Sequence, residues 1–545
     1  LSSYDVAESG WVLSFHYPNW DGNLDQWGFS TRHFQQGEMP ALFDEWAHPA
    51  CYTYATLQTD PGIREFWGKS IDLMWDGVFQ APGGLGGAIW CYQDDIFELP
   101  EPKVGTAFWK EFAHTAKPEG YQGKCVGYGE WGIVDIWRRK KPEFWAAKKA
   151  CSPVRLLMGK RIQASAGMDL QLTVYNRFDH TNLKEIRARY TYLGKTHDLP
   201  LPSLEPHQKG ILTIPACDWK DGEHLRIEFL GSQGELIDQY DPVIGHERID
   251  YPDLGNGTSL KIEDNSTRLV IRGEGFVIPF DKKTGLIDHA MAGSQVVIDK
   301  GPFLNMYVNL NHLSGAEVRK MANHYCTEDS DWVMESMDYK MRDHGDVEVN
   351  VKGHAKGVKG HYQMLITPKG KVTVSYAVDG LPNGYLRETG LKFYLSDAVQ
   401  KLSWKRDGYW DCYPDSAFAG NDGSCSLYQS RQARYGERPV QSWQDDTHDY
   451  FYWADRGANC DHPLTQKAKG MKENIYYYTV STDANHQLSF VSTDAQLACR
   501  MNKMPNEQLI LYADNRWDYP EIAWGNYCKT IEALPCYGTI EMRIK

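Results

Sequence analysis

The sequence predicts a multidomain chain in which the C-terminal part of a (β/α)8 TIM barrel precedes two β-sandwiches. About the first 150 residues alternate short strand patterns with helical patterns. Later residues show the two-residue alternation that is typical of half-buried strands. With 545 residues, the chain is also too long for one hydrophobic core, so two to four domains are expected.

The first block contains three strand patterns, at residues 12–17, 40–45 and 87–92. A helix is predicted to open at Asp60, an N-cap residue that precedes a proline. The glycine-rich residues 83–87 are predicted to form a loop, and their spacing does not fit a dinucleotide-binding turn. A last helix is expected from about residue 141 to 151. Three strands cannot close an eight-stranded barrel, so this block is predicted to be the end of a barrel that starts elsewhere.

The rest of the chain is predicted to be β-structure. Leu170, Leu172 and Val174 alternate with polar residues, and similar patterns continue to about residue 250. This part is predicted to be an immunoglobulin-like β-sandwich. Further alternations, such as Val347 and Val349, predict one large C-terminal sandwich. The predicted domains are residues 1–152, 153–252 and 253–545.

Composition excludes several classes of function. The net charge of −14 argues against a nucleic-acid partner, and the absence of 18 consecutive apolar residues argues against a membrane span. The 12 cysteines include no CxxC pair, so no zinc site is expected. The cysteine content does not decide the cellular compartment. A periplasmic or secreted location is expected in preference to the cytoplasm. The basic residues 138–141 are predicted to be the solvated start of the last helix.

One short stretch is expected to carry the chemistry. Residues 40–45 begin as an apolar run and end in Glu45, which Trp46 and His48 follow. A polar cluster at the C-terminal end of a buried strand is where parallel α/β sheets and barrels place their active sites. Glu45 is therefore a candidate catalytic carboxylate. The alternative is a strand-end glutamate that caps the next helix.

Five segments, in the same order along the chain, resemble glycoside hydrolase family 2, the β-galactosidase family. They are residues 44–48 (the nucleophile strand), 87–94 (the eighth barrel strand), 132–148 (the signature after the barrel), and 276–285 and 404–415 (parts of the C-terminal galactosidase domain). The resemblance implies the second half of a five-domain enzyme. The family's acid/base residue, its sugar-binding domain and its magnesium ligands have no counterpart in this sequence.

This resemblance therefore implies an N-terminal half, either as a separate chain or as an upstream segment, and an oligomeric enzyme is expected. No cofactor or metal is expected in this chain itself. Magnesium is expected only through the N-terminal half.

The resemblance also implies roles for individual residues. Glu45 matches the nucleophile, and Tyr17 matches a tyrosine that hydrogen-bonds the nucleophile and keeps it ionised. His48 matches a histidine that binds sugar hydroxyls, and Trp90 matches the tryptophan at the floor of the sugar pocket. Trp524 matches, by spacing, a tryptophan of the C-terminal domain that stacks on galactosides. Each of them also has an ordinary structural alternative in packing or in hydrogen bonding.

The predicted function is hydrolysis of terminal non-reducing β-D-galactosyl residues by double displacement (EC 3.2.1.-). This chain would supply the nucleophile but not the acid/base. One alternative keeps the chemistry and changes the sugar to a β-glucuronide or a plant or algal polysaccharide. Another alternative is a non-catalytic carbohydrate-binding subunit in which Glu45 is structural.

Overall fold

The computed structural model describes residues 12–16, 40–46, 63–98, 125–129, 132–310, 324–415, 417–429, 439–447, 463–504, 508–517, 529–531 and 536–545. The chain divides into two compact units. The larger unit comprises the described residues within Leu1–Glu143, Tyr251–Asp407 and Ser416–Lys545. The smaller unit comprises Phe144–Asp250 and Gly408–Asp415.

The N-terminal block contains a parallel three-stranded sheet with the order β1-β2-β3, a helix between β2 and β3, and an antiparallel pair, β4 and β5. The elements are β1 (Leu13–His16), β2 (Ala41–Trp46), α1 (Ile63–Gln80), β3 (Gly84–Ile89), β4 (Asp95–Glu98) and β5 (Cys125–Gly129). Helix α2 (Pro142–Ala150) follows them, and most of its residues belong to the smaller unit. A closed barrel is not visible among the described residues, so the barrel assignment stays a prediction.

Helix α1 connects two neighbouring parallel strands, as a βαβ unit requires. Trp67, Ile71 and Met74 are buried and recur at helical spacing, which gives the helix one apolar face. Glu65 lies in the first turn, where the partial positive charge of the helix N-terminus favours a carboxylate. The helix therefore presents these three side chains to the core.

The predicted loop at residues 83–87 is wrong, because β3 begins at Gly84. A Cβ at Gly84 would lie 2.2 Å from the carbonyl oxygen of Val78, and one at Gly87 would lie 2.6 Å from the ring of Trp46. The glycines are there because the strand passes close to its neighbours. The strand also ends earlier than predicted, at Ile89, so that Trp90 lies just beyond it.

The smaller unit is an antiparallel β-structure. Its main sheets have the orders β10-β9-β12-β13 and β11-β8-β6, and β7 pairs in parallel with β14. The strands are β6 (Val154–Leu156), β7 (Arg161–Ile162), β8 (Leu170–Asn176), β9 (Arg187–Tyr192), β10 (Lys195–Asp198), β11 (Lys209–Ile214), β12 (Leu225–Leu230), β13 (Leu236–Tyr240) and β14 (Val243–Ile244).

The core of the smaller unit is built from alternate residues of its sheets. Leu172 and Val174 from β8 and Ile227 and Phe229 from β12 are buried in one hydrophobic cluster. The predicted two-residue alternation is confirmed here, and it follows from sheets that bury one face each.

A segment from much later in the chain completes the smaller unit. Tyr413 stacks on Trp145 with ring centroids 5.2 Å apart, and Trp410 meets Trp145 edge-on at 5.9 Å. The backbone N–H of Asp241 donates to the carboxylate of Asp411 at 2.8 Å. Local sequence patterns did not predict this segment's place, because the contacts join residues far apart in the chain.

The C-terminal part of the larger unit is one extensive, mainly antiparallel sheet system with a single short helix, α3 (Gln466–Lys469), among its described residues. Its strands are β15 (Lys261–Asp264), β16 (Arg268–Gly273), β17 (Phe276–Asp281), β18 (Leu286–Ala292), β19 (Gln295–Asn309), β20 (His324–Cys326), β21 (Val333–Met341), β22 (Val347–Ala355), β23 (Val358–Ile366), β24 (Lys371–Asp379), β25 (Gly384–Leu395), β26 (Val399–Arg406), β27 (Asp422–Ser426), β28 (Lys472–Thr482), β29 (Gln487–Val491), β30 (Leu497–Lys503), β31 (Leu509–Trp517), β32 (Lys529–Ile531) and β33 (Cys536–Ile544).

Strands that are distant in sequence pair with each other in this sheet system. β24 pairs with β33, and β19 and β31 lie on either side of β25. Val347, Val349 and Val351 are fully buried, as their alternation predicted, and they belong to one large core. The described part of the chain is therefore predominantly β, as expected of β-sandwich domains. None of its helices is long and apolar enough to cross a membrane.

Candidate active site

The carboxyl ends of the three parallel strands meet at one edge of their sheet. His16 of β1 pairs with Glu45 of β2, and Trp46 pairs with Ile89 of β3. The backbone N–H of Trp90 donates to the carbonyl oxygen of Trp46 at 3.0 Å. Glu45 and Trp90, two of the predicted site residues, therefore lie at the ends of adjacent strands.

Strand β2 changes register just before it ends. Phe43 and Glu45 pair with consecutive residues of β1, so that Asp44 is an extra residue, as in a β-bulge. The bulge shifts the alternation by which successive side chains of a strand point to opposite faces of the sheet. Phe43 and Trp46 are buried, whereas Glu45 is half-buried. As a result, the Trp46 indole is buried in the core, and the Glu45 carboxylate lies at the sheet edge.

Asp44 holds two strands together at the same edge. The hydroxyl of Ser14 donates to the Asp44 carboxylate at 2.6 Å, and Asp44 itself is exposed. A hydroxyl that donates to a carboxylate makes a strong, charge-assisted hydrogen bond. Asp44 therefore has a defined structural role, and it is a natural control for experiments on Glu45.

Trp46 anchors the strand end that carries Glu45. Its indole is 1% exposed, stacks on Phe43 with centroids 6.2 Å apart, and meets Trp75 of α1 edge-on at 5.9 Å. Gly87 of β3 lies directly against the ring. Close packing from a helix and a neighbouring strand restricts the movement of this strand end, which is what a positioned catalytic group requires.

Trp90 differs from Trp46 in its exposure. It follows β3 directly, and 42% of its surface is exposed. The edge where β2 and β3 end therefore carries a half-buried carboxylate and a half-exposed indole. The other predicted site residues, Tyr17, His48 and Trp524, lie outside the described residues.

A buried ion pair lies just after the Trp90 strand end. The ammonium of Lys141 donates to the Asp94 carboxylate at 2.7 Å, and both side chains are 0% exposed. The backbone N–H of Gly132 donates to the same oxygen at 2.8 Å. The prediction of a solvated basic run is therefore wrong for Lys141, because its partner carboxylate draws it into the interior.

Arg139 of the same run is also buried. Its guanidinium donates to Asp135 at 2.6 Å and to Asp446 at 2.8 Å. Arg138 and Lys140 are exposed, so the run alternates between interior and solvent. The sequence showed the charges but not their distant partners, and Asp446 lies more than 300 positions away.

A second polar cluster lies within the large sheet system, and sequence analysis did not single it out. Glu388 forms ion pairs with Arg387 at 3.0 Å and Arg500 at 3.2 Å. The side-chain amide of Asn305 donates to Glu388 at 2.9 Å and to Asp514 at 2.8 Å. All five side chains are buried. The only available signal was the presence of charged residues within apolar strand patterns.

The two carboxyl groups of this cluster have opposite pKa shifts. Burial raises the pKa of Glu388, but the charges of Arg500 and Arg387 outweigh burial, so the pKa lies below its ordinary value. Burial and the neighbouring Glu388 charge raise the pKa of Asp514 well above its ordinary value. The two carboxyl groups, which both accept from the Asn305 amide, therefore differ in how strongly they hold a proton. Because both are closed off from solvent, the cluster is structural in this conformation.

Lys472 is a third unusual group. Its ammonium is fully buried and donates to the carbonyl oxygens of Lys467 at 2.8 Å and Gly470 at 3.0 Å. It also lies over the rings of Trp404 and Phe418, 4.7 and 4.8 Å from their centroids. Burial lowers the pKa of Lys472 to about 7.

No group of three or more His, Cys, Asp or Glu side chains that could hold a metal ion occurs within the described ranges.

Residues 272–436 match the family model described as beta galactosidase small chain. The matched segment is less than a third of the chain, and it includes strands β17 to β27 of the large sheet system. It supports a glycoside hydrolase-like C-terminal region, and in this coarse form it agrees with the family resemblance. No curated protein sequence matches the chain.

Several solved structures are similar to parts of the chain. A galactose 1-epimerase from Lactobacillus acidophilus NCFM is 10% identical, covers 54% of this chain and 99% of its own, and has a TM-score of 0.26. A β-D-mannosidase from Dictyoglomus thermophilum is 12% identical over 45% of this chain and 24% of its own, with a TM-score of 0.18. A copper-containing benzylamine oxidase from Hansenula polymorpha is 8% identical over 72% of this chain and 77% of its own, with a TM-score of 0.26. Because these scores are below 0.5, the likenesses establish neither fold nor activity.

Proposed function

We propose that this chain is the nucleophile-bearing part of a retaining glycosidase that removes terminal β-D-galactosyl residues. The observation that carries the proposal is that Glu45 and Trp90 lie at the ends of two adjacent parallel strands, at the carboxyl edge of their sheet. The match of residues 272–436 to the β-galactosidase small chain supports the same family from an independent part of the chain.

In the proposed reaction, a carboxylate oxygen of Glu45 attacks the anomeric carbon and forms a glycosyl ester. The bond between the anomeric carbon and the leaving oxygen breaks, and a second carboxyl group protonates that oxygen. Water then attacks the anomeric carbon, while the second carboxyl group, now ionised, takes a proton from the water. The bond between the anomeric carbon and Glu45 breaks, which frees the carboxylate and releases the sugar with its original configuration. Retention requires the two carboxyl groups to lie about 5–5.5 Å apart.

The surrounding residues are proposed to hold the sugar and the nucleophile. The exposed face of Trp90 would stack on the apolar face of the galactosyl ring. Tyr17 would donate a hydrogen bond to Glu45 and keep it ionised, because hydrogen bonding to the charged form lowers a carboxyl pKa. His48 would bind sugar hydroxyls, and Trp524 would stack on a galactoside from the C-terminal domain.

The second carboxyl group is proposed to come from an N-terminal half of the enzyme, as the family resemblance implies. Any magnesium ion that supports the activity would be held there too. An oligomeric assembly of the two parts is part of this proposal. Native and intact mass measurements of the purified protein test it, because roughly 400–500 further residues would appear, either as a second polypeptide or as added mass on the same chain.

The kinetic test compares Glu45→Gln with Asp44→Asn in the assembled enzyme, with nitrophenyl β-galactoside as substrate. Gln cannot act as a nucleophile, so Glu45→Gln should lower kcat on the order of 10⁴-fold or more. Asp44→Asn is the matched control, because it removes the charge of the neighbouring carboxylate at the same strand end and keeps an oxygen that can accept from the Ser14 hydroxyl. It should retain most of the activity.

Full activity of Glu45→Gln would contradict catalysis by this residue and favour the carbohydrate-binding alternative. If both β-galactoside and β-glucuronide are assayed, faster turnover of the glucuronide would replace the galactosyl assignment while keeping the glycosidase chemistry.

A further inference from the structure

The large sheet system contains a cavity that the proposed active site does not use. Its volume is about 270 Å³. Trp332 and Tyr394 provide aromatic walls, and Asp329, Ser330 and Gln508 provide polar groups. A cavity slightly below the usual size range for small-molecule pockets suits a ligand of about one sugar ring.

The aromatic walls are held in place by the protein itself. The indole N–H of Trp332 donates to the carbonyl oxygen of Thr284 at 2.9 Å, and its ring packs against Tyr362 with centroids 5.2 Å apart. Tyr394 meets Phe303 edge-on, with centroids 5.5 Å apart. Because these rings are already oriented, a ligand would not have to order them on binding.

The polar side of the cavity is also preorganised. The hydroxyl of Tyr394 donates to the Asp329 carboxylate, and the ammonium of Lys392 lies 2.6 Å from its other oxygen. Burial, together with the bond to Asp329, raises the pKa of Tyr394, so the phenol stays protonated. The carboxylate thus has a fixed direction, and its oxygens can accept further hydrogen bonds from a ligand.

The charges around the cavity favour a neutral ligand. Lys392 is buried and its charge is compensated by Asp329, whose carboxylate would repel an anionic group. Lys300 lies at the cavity but is exposed, where water screens its charge. Ser330 and Gln508 are exposed and offer neutral donors and acceptors.

We propose that this cavity binds a neutral pyranose unit of an oligosaccharide. One face of a pyranose ring presents C–H bonds, which suit the negative faces of Trp332 and Tyr394. The hydroxyls on its edge suit the Asp329 carboxylate and the Ser330 hydroxyl. The proposal rests on the lining of the cavity and does not require Glu45 to be the nucleophile.

The test uses methyl β-D-galactopyranoside and methyl β-D-glucopyranoside as probes, with binding measured by calorimetry and by saturation-transfer NMR on the full protein. Ser330→Trp places a large side chain at the cavity from an exposed position and should weaken binding of at least one probe by about tenfold or more. Ser336→Trp is the matched control, because Ser336 is an exposed serine on β21 outside the cavity lining.

A second variant, at Trp332, tests the cavity independently of Ser330→Trp. Trp332 packs beside Gly353 and Gly360, so Trp332→Ala also disturbs the sheet, whereas Trp332→Phe keeps an aromatic ring and loses part of the stacking surface. Trp332→Phe should weaken probe binding severalfold, and Trp90→Ala should leave this binding event unchanged.

The proposal is overturned if neither neutral probe binds, if Ser330→Trp binds as the unmodified protein does, or if Trp90→Ala alone abolishes all binding. It is also overturned if galacturonate binds more tightly than the neutral probes. These results are separate from the Glu45→Gln kinetics, so failure of one proposal can be told from failure of the other.

Discussion

Gly87 lies so close to the indole of Trp46 that a Cβ at this position would come within 2.6 Å of the ring. The contact joins β3 to the end of β2, directly beside Glu45. Gly87→Ala should therefore overpack this core and lower the free energy of unfolding by about 1–3 kcal/mol. It should also lower kcat, because Trp46 cannot move without moving the strand end.

Leu85→Ala is the control for this prediction, since Leu85 lies on the same strand and is 57% exposed. Urea unfolding monitored by circular dichroism measures both variants. Equal stability of Gly87→Ala and the unmodified protein would show that the contact does not constrain the strand end.

The buried pair of Asp94 and Lys141 should be sensitive to removal of one partner. Lys141→Met leaves the Asp94 carboxylate in the interior without its cation, which should cost about 3–5 kcal/mol of unfolding free energy. The exposed pair Arg272–Glu263 is the comparison, and Arg272→Met should cost about 0–1 kcal/mol. Similar losses for the two variants in denaturant unfolding would contradict the difference in burial.

Asp514 should make the stability of the protein depend on pH. Its raised pKa means that the folded protein keeps a proton which the unfolded chain releases above about pH 3.9. The stability contributed by the protonated form is therefore complete below that pH and is lost as pH rises toward the raised pKa. Asp514→Asn cannot ionise, so its stability relative to the unmodified protein should increase with pH above about 4.

Unfolding free energies measured between about pH 4 and 8 check this expectation. Asp483→Asn, at a side chain that is 79% exposed, should show no such trend. If the unfolding free energies of Asp514→Asn and the unmodified protein differ by the same amount at every pH, Asp514 does not hold a proton in the folded protein.

Lys472 should produce a pH dependence in the alkaline range. Its pKa of about 7 in the folded protein lies below the value of about 10.4 for the unfolded chain. Between these values the unfolded chain binds more protons, so stability should rise with pH from about 7 to 10. Lys472→Met should lack this rise, and Lys359→Met, at an exposed lysine, should retain it. Parallel curves for Lys472→Met and the unmodified protein would contradict the burial of a neutral amine.

Periodicity predicted those parts of the fold in which one face of an element is buried. The alternating valines of β22 are buried as their spacing predicted, and Trp67, Ile71 and Met74 are buried at helical spacing on α1. Glycines misled the prediction for β3, because Gly87 reflects a close approach by Trp46 that no local pattern shows.

The candidate site was predictable only in part, because contacts between distant strands leave no local pattern in the sequence. The apolar run that ends at Glu45 indicated a strand end, and the family resemblance suggested a role for Trp90. The buried cluster around Glu388 was not predictable, since Asn305 and Asp514 lie 209 positions apart and meet only through the pairing of distant strands.

The measurement that tests the central claim most directly is covalent labelling with a dinitrophenyl 2-deoxy-2-fluoro-β-galactoside, followed by peptide mass spectrometry. Dinitrophenolate leaves without a proton from the acid/base, so formation of the glycosyl ester depends mainly on the nucleophile. The account predicts an adduct on the peptide that contains Glu45, retained in Asp44→Asn and absent in Glu45→Gln. An adduct on another carboxylate, or no adduct at all, would contradict the assignment of Glu45 as the nucleophile.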